Sequence, residues 1–143
     1  MTFEDSVDAL IDALVRCTFQ VTSVLTRVGA DNDLSLTQLR VMGILRDRRP
    51  RVTELAAYLG LDKSTMSGLI DRAERRGLLA RDKNPHDGRA VDVFLTPAGH
   101  ELTQRLYAEV RRTLAPELNR LGPEQRTQLL GLLEPLLNPS DAR

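Results

Sequence analysis

Along the first quarter of the chain, apolar positions (with Thr18 among them) recur at Val7, Leu10, Ile11, Leu14, Thr18, Val21, Leu25 and Val28. Steps of three and four predict one long amphipathic helix over 3–28. Gly29 would stop it, and 30–34 would form a polar loop. Ser35 stands three residues before Gln38, the spacing of a capping box, and opens a second helix through Leu39, Met42, Ile44 and Leu45. The charged run 46–51, broken by Pro50, ends it. Thr53 is the expected cap of a short third helix with Leu55, Ala56 and Leu59 inward. Gly60 breaks the chain, Asp62 caps a fourth helix over 63–76, and Gly77 stops it.

The period then changes. Residues 78–83 and 90–95 read as short strands, the second alternating apolar and polar. Between them Asn84-Pro85-His86-Asp87-Gly88 is dense in turn formers. Thr96-Pro97 supplies a hydroxyl cap and a proline at the first helical position, so a helix starts there. Pro116 should end it near Leu114. Gly122-Pro123 opens a last helix through Leu129, Leu130, Leu132, Leu133, Leu136 and Leu137, with Pro135 predicting a kink or frayed end.

Two short helices, a hairpin with a charged tip and a further helix form the order of a winged helix-turn-helix. The fold class is therefore mainly α (α+β): one domain over 1–143, with a winged lobe at 35–96 and helical segments at 1–34 and 97–143. Such a unit sets one helix and one loop against duplex DNA.

The fourth helix has the pattern of a reading head. At 100° per residue, Leu69, Ile70 and Ala73 fall within roughly 60° of Met66. Opposite lie Ser64, Gly68, Asp71 and Arg75, flanked by Ser67 and Arg72. Small polar side chains let a helix sink into a major groove about 12 Å wide. Lys63, Ser64 and Thr65 occupy the first turn, where such helices meet base edges. A solvated surface helix would favour Glu, Lys and Ala. Gly68 in mid-helix costs roughly 1 kcal/mol relative to Ala, and close approach of DNA is one reason for it. On the hairpin tip, Arg89 is a long cation that fits a minor groove. Asp87 would orient Arg89 or cap the turn.

Net charge is zero, which at first argues against a nucleic-acid partner, but its distribution is uneven. Residues 1–39 hold two Arg against six acids, giving −4, whereas 40–89 hold twelve Lys/Arg against seven acids, giving +5. The excess falls on the DNA-reading segment, where counterion release needs it. No uninterrupted apolar run of about eighteen residues occurs and the acidic N-terminus lacks a signal-peptide pattern, so no membrane partner is expected. Cys17 is the single cysteine, which excludes an internal disulfide and fits a reducing, cytoplasmic setting. The only histidines are His86 and His100, and no Ser/His/Asp arrangement, P-loop or metal-ligand cluster appears. The reading is a non-enzyme with no metal and no cofactor.

From Leu34 to Leu102 the sequence resembles the MarR family of bacterial winged-helix regulators. The resemblance is carried by Leu34-Ser35-x-x-Gln38, Glu54-Leu55-Ala56, Ser64-Thr65-Met66-Ser67 and Leu69-Ile70-Asp71-Arg72. It continues through Gly77-Leu78, Asp87-x-Arg89-Ala90 and Leu95-Thr96-Pro97-Ala98-Gly99. It implies a homodimer whose first, fifth and sixth helices intertwine, binding a pseudo-palindromic operator, as a repressor released by a small aromatic or anionic effector. The implied DNA-binding residues are Ser35, Gln38, Lys63, Ser64, Thr65, Ser67, Gly68, Arg72, Arg75, Asp87 and Arg89. Gly88 and Gly68 depart from the family, which commonly carries a cation at the first and a long polar residue at the second. A thiol-based redox sensor using Cys17 is an alternative within the same family, although the organic-hydroperoxide branch's motif is missing around Cys17. A helical scaffold for a protein partner is a remoter one.

Overall fold

In a computed structural model, which describes residues 2–137, the chain forms six helices and one antiparallel hairpin. The order is α1 (Phe3–Ala30), α2 (Leu36–Ile44), α3 (Val52–Leu59), α4 (Lys63–Arg75), β1 (Leu79–Asn84), β2 (Asp87–Leu95), α5 (Pro97–Leu118) and α6 (Pro123–Leu137). Two compact units result, residues 1–110 and 111–143. In the first, Met42, Leu55, Met66, Ile70 and Leu106 are fully buried, each side chain contributing on the order of 1.5–3 kcal/mol through burial. The apolar face inferred for α4 is the buried one: Met66, Leu69, Ile70 and Ala73 all point into this core.

The local stop and start signals hold at several junctions. Ser35 and Gln38 form the expected capping box. Asp62 caps α4. Gly60 and Gly77 take φ of 66° and 73°, the left-handed conformation that a glycine adopts without strain. Thr96 caps α5, its hydroxyl accepting from the Gly99 amide at 3.0 Å.

Other expectations need correction. Thr53 does not cap α3; the helix begins at Val52 after Arg51, whose side chain makes no capping bond. A tertiary pairing sets that start instead: Arg51 bridges Asp92, and the Val93 amide donates to the Pro50 carbonyl at 3.0 Å. Gly29 does not stop α1, which runs on to Ala30. A Cβ at Gly29 would lie 2.8 Å from the Leu34 carbonyl oxygen, so the residue permits a close return of the chain. The left-handed residue is Asp33, at φ 57°, and Arg76 clamps that loop by donating to the Asn32 and Asp33 carbonyls at 3.0 and 2.8 Å. The hairpin strands extend further than expected, closing at Asn84↔Asp87 across an irregularity between Lys83 and Asn84. Alternation along β2 also fails, because Asp92 and Val93 are both buried. Pro116 does not end α5, and α6 continues through Pro135. Each proline removes one hydrogen bond close to a helix end, where the loss is small.

α1 divides along its length. Val28 is buried, whereas Val7, Leu10, Ile11, Leu14, Val15, Phe19 and Val21 are exposed. By length and composition alone, Ser6–Ala30 is apolar enough to cross a membrane, which the stricter test of an uninterrupted run missed. Asp8 and Asp12 lie opposite the Leu10–Leu14–Val21 stripe at helical spacing, on the side that also carries the exposed Val15 and Phe19. In the second unit, Arg126 secures the turn before α6 through Asn119 Oδ1 at 3.0 Å and the Leu121 carbonyl at 3.2 Å. No residue of α6 is buried.

Candidate nucleic-acid interface

α4 presents its first turn to solvent: Lys63, Ser64 and Thr65 are exposed. The two hydroxyls are not loose. The Asp62 carboxylate accepts from the Ser64 hydroxyl at 2.8 Å, the Thr65 amide at 2.7 Å and the Thr65 hydroxyl at 3.1 Å. An ionised carboxylate can only accept, so both hydroxyl protons are committed and both oxygens offer lone pairs outward. The Thr65 amide, then the Ser64 and Thr65 hydroxyls, hold the Asp62 carboxyl below the usual carboxylate range. With the folded value below the unfolded one, this contribution to stability is present above the ordinary carboxylate value. It is lost as pH falls through the folded value. Asp62→Asn keeps a good cap but removes the titration. Its melting temperature is therefore expected to fall less steeply than that of the wild type between about pH 5 and pH 3. Parallel curves would refute this.

Further along α4, Ser67 and Gly68 are half-buried and Arg72 and Arg75 exposed. A Cβ on Gly68 would meet only Arg72 Nη1, at an ordinary 3.5 Å. Ser35 and Gln38 spend one acceptor each on their mutual cap, at 3.1 and 2.8 Å. They keep the Ser35 O–H and the Gln38 amide N–H groups for other partners.

The structure sorts the cations of 40–89 into two sets. Arg81 is tied to Asp71 and to Glu74, the latter at 2.6 Å, and these partners raise its pKa further, with Glu74 the larger cause. Arg49 stacks on Phe94 at 4.1 Å and pairs with Asp92. Arg51 pairs with Glu54 and Asp87, and Arg76 holds the loop after α1. Arg40 and Arg46 lie over Tyr58 and Tyr107, and Arg48 pairs with Asp47. Lys63, Arg72, Arg75, Lys83 and Arg89 are exposed and make no ion pair among the described residues. Four of those five are on α4 or the hairpin tip, at positions singled out from the sequence.

On the tip, Asp87 Oδ1 accepts from the Arg89 amide at 3.1 Å and Oδ2 lies 3.8 Å from Arg51. Asp87 thus shapes the turn through the backbone of residue 89, with no bond to the Arg89 guanidinium. Beside it a cleft of about 610 Å³ is lined by Val52, Thr53, Arg81, Lys83, Arg89 and Val91. A second cavity of about 670 Å³ lies under α2, walled by Leu25, Leu39, Tyr58 and Tyr107 with Arg40 and Arg48 among its lining residues. Neither tyrosine stands out by motif or spacing in the sequence. Their one visible signal is that they are the only tyrosines in the chain.

Residues 32–90 match the family model described as MarR family. Over that segment the chain is similar to the MarR family. Among the relatives of this chain is the HTH-type transcriptional regulator YkoM of Bacillus subtilis. It is 28% identical over 109 residues, covering 76% of this chain and 71% of that protein. The HTH-type transcriptional repressor NicR of Pseudomonas putida is 26% identical over 121 residues, covering 84% and 77%. The apo crystal structure of Escherichia coli MarR superimposes with a TM-score of 0.72 at 25% identity, covering 90% of this chain and 96% of that one. The relatives are transcriptional regulators and not enzymes. Cys17, the residue of the redox alternative, is exposed on α1.

Proposed function

We propose that this protein is a MarR-family regulator, a homodimeric repressor that reads a pseudo-palindromic operator. α4 would enter the major groove, and Arg89 the adjacent minor groove. The observation that carries this reading is the sorting of the cations. Those of the scaffold, with Arg81 at the base of the wing, are paired, stacked or hydrogen-bonded, and those on α4 and the wing tip are left for phosphates and bases. Because the Ser64 and Thr65 protons are committed to Asp62, these two residues would accept from donor edges, adenine N6 or cytosine N4. Residues 35–96 would form the DNA-binding lobe. The exposed apolar faces of α1 and α6 would be covered by a second copy, as would suit a protein acting on DNA in the cytoplasm. NicR is a repressor, which supports the same sign here.

A fluorescence titration against the DNA upstream of its own gene, at two salt concentrations, tests the reading. Specific binding that weakens steeply with salt is expected. Arg89→Ala should lower affinity about tenfold or more and reduce the salt slope by about one per protomer, leaving the dimer intact. Gly68→Ala should raise thermal stability, because helix propensity improves and nothing in the chain obstructs the methyl, yet weaken binding. Unchanged affinity in Arg89→Ala would sink the wing assignment.

The cavity under α2 is the proposed effector site. Tyr58 and Tyr107 offer aromatic walls, and Arg40 and Arg48 offer cations, to a small aromatic acid.

A further inference from the structure

Asp92 is a carboxylate in a strand that otherwise packs apolar side chains, and it is 3% exposed. Burying a charge is costly unless it is paired and hydrogen-bonded, and here it is both. Its Oδ1 accepts from Asn84 Nδ2 at 3.0 Å, and its Oδ2 lies 3.5 Å from Arg49 Nε. Asn84 passes the constraint on: its Oδ1 accepts from the amides of His86 at 2.8 Å and Asp87 at 3.1 Å. Asp87 in turn accepts from the Arg89 amide. Three side chains therefore run from a buried anchor to the backbone of the wing arginine. The anchor itself is held from the far side by the Arg51 bridge and by Arg49 stacked on Phe94.

We propose that Asp92 is a positioning residue for DNA binding, fixing the posture of the hairpin tip so that Arg89 is presented to the duplex in one conformation. The regular register from Leu79↔Leu95 to Lys83↔Val91 does not depend on it. The irregular tip does, because Asn84 ties the irregularity to the buried carboxylate. Without the anchor the hairpin still pairs, but its tip samples several conformations and Arg89 gives up freedom on binding. The proposal rests on the reading of Arg89 as a DNA contact.

The test is a double-mutant cycle read by operator titration across a salt series, using Asp92→Asn, Asn84→Ala, Arg89→Ala and the two pairs made with Arg89→Ala. Asp92→Asn keeps the shape of the side chain and removes the charge facing Arg49. Asn84→Ala cuts the relay one step nearer the tip, and it serves alone if the first variant does not fold. Asp92→Asn and Asn84→Ala are each expected to weaken binding about fivefold and to lower the salt slope in the direction Arg89→Ala does. In the Arg89→Ala background neither should weaken it further. Losses that multiply with that of Arg89→Ala, or an Asn84→Ala protein that binds like the wild type, would overturn the positioning role. If Arg89→Ala binds as the wild type does, the reading beneath the proposal fails and the proposal with it.

Discussion

Replacing Leu10 and Leu14 on α1 by glutamate is expected to convert the protein to a monomer and lower operator affinity at least about 100-fold. Twelve of the sixteen large hydrophobic side chains exposed among the described residues lie on α1 or α6, with Leu10 at 60% and Leu132 at 71%. α6 carries six leucines and buries none of its residues. Solitary exposed leucines are ordinary, but whole helical stripes left uncovered mark an association surface. In a single copy Leu10 and Leu14 are already exposed, so a charge there takes little from the folding of one chain. It would take the apolar contact from a pair, and a pair binds two half-sites with the second made effectively intramolecular. Sedimentation velocity and operator titration on the same preparation check both parts. A variant that stays dimeric and binds like the wild type would remove α1 from the interface.

How far the sequence carries depends on whether a feature is local. Asp62, Ser35 and Gln38 act on amides three residues away, and Gly60 and Gly77 act on their own φ, so pattern and spacing suffice. The face of α4 was legible for the same reason: a 3.6-residue period and one apolar side settle which residues point in. The start of α3 was not, because Arg51 and Pro50 are placed by pairing with Asp92 and Val93, some forty residues on. Asp92 reads locally as the polar position of a half-exposed strand, and only that third segment beside β2 buries it. Among the cations, composition gave the excess but not its use. Arg81 and Arg89 look alike in the sequence, yet Asp71 and Glu74 claim the first, and no acid among the described residues claims the guanidinium of the second.

Gly99→Ala is expected to destabilise the protein by roughly 2–4 kcal/mol, a drop in melting temperature on the order of 5–15 °C. The added methyl would press on the Leu78 carbonyl oxygen, well inside contact distance, with the carbonyl carbon at 3.0 Å and Leu95 Cδ2 at 3.2 Å. That carbonyl cannot retreat freely, since it accepts from the Thr96 amide at 3.1 Å. Thr96 is itself fixed, its hydroxyl donating to the Gly77 carbonyl at 2.6 Å and accepting from the Gly99 amide. The end of α4, both hairpin strands and the start of α5 thus meet at one backbone contact, which explains why a threonine cap followed three residues later by glycine belongs together here. Gly43 is a useful contrast. A methyl there would meet the Tyr107 hydroxyl, a side-chain atom and not backbone, so Gly43→Ala should lose less. Thermal melts of the two variants beside Gly68→Ala are expected to rank them, from least to most stable, as Gly99→Ala, Gly43→Ala and Gly68→Ala. A Gly99→Ala protein melting within about 2 °C of the wild type would mean that the junction yields easily and the contact does not hold the wing to α5.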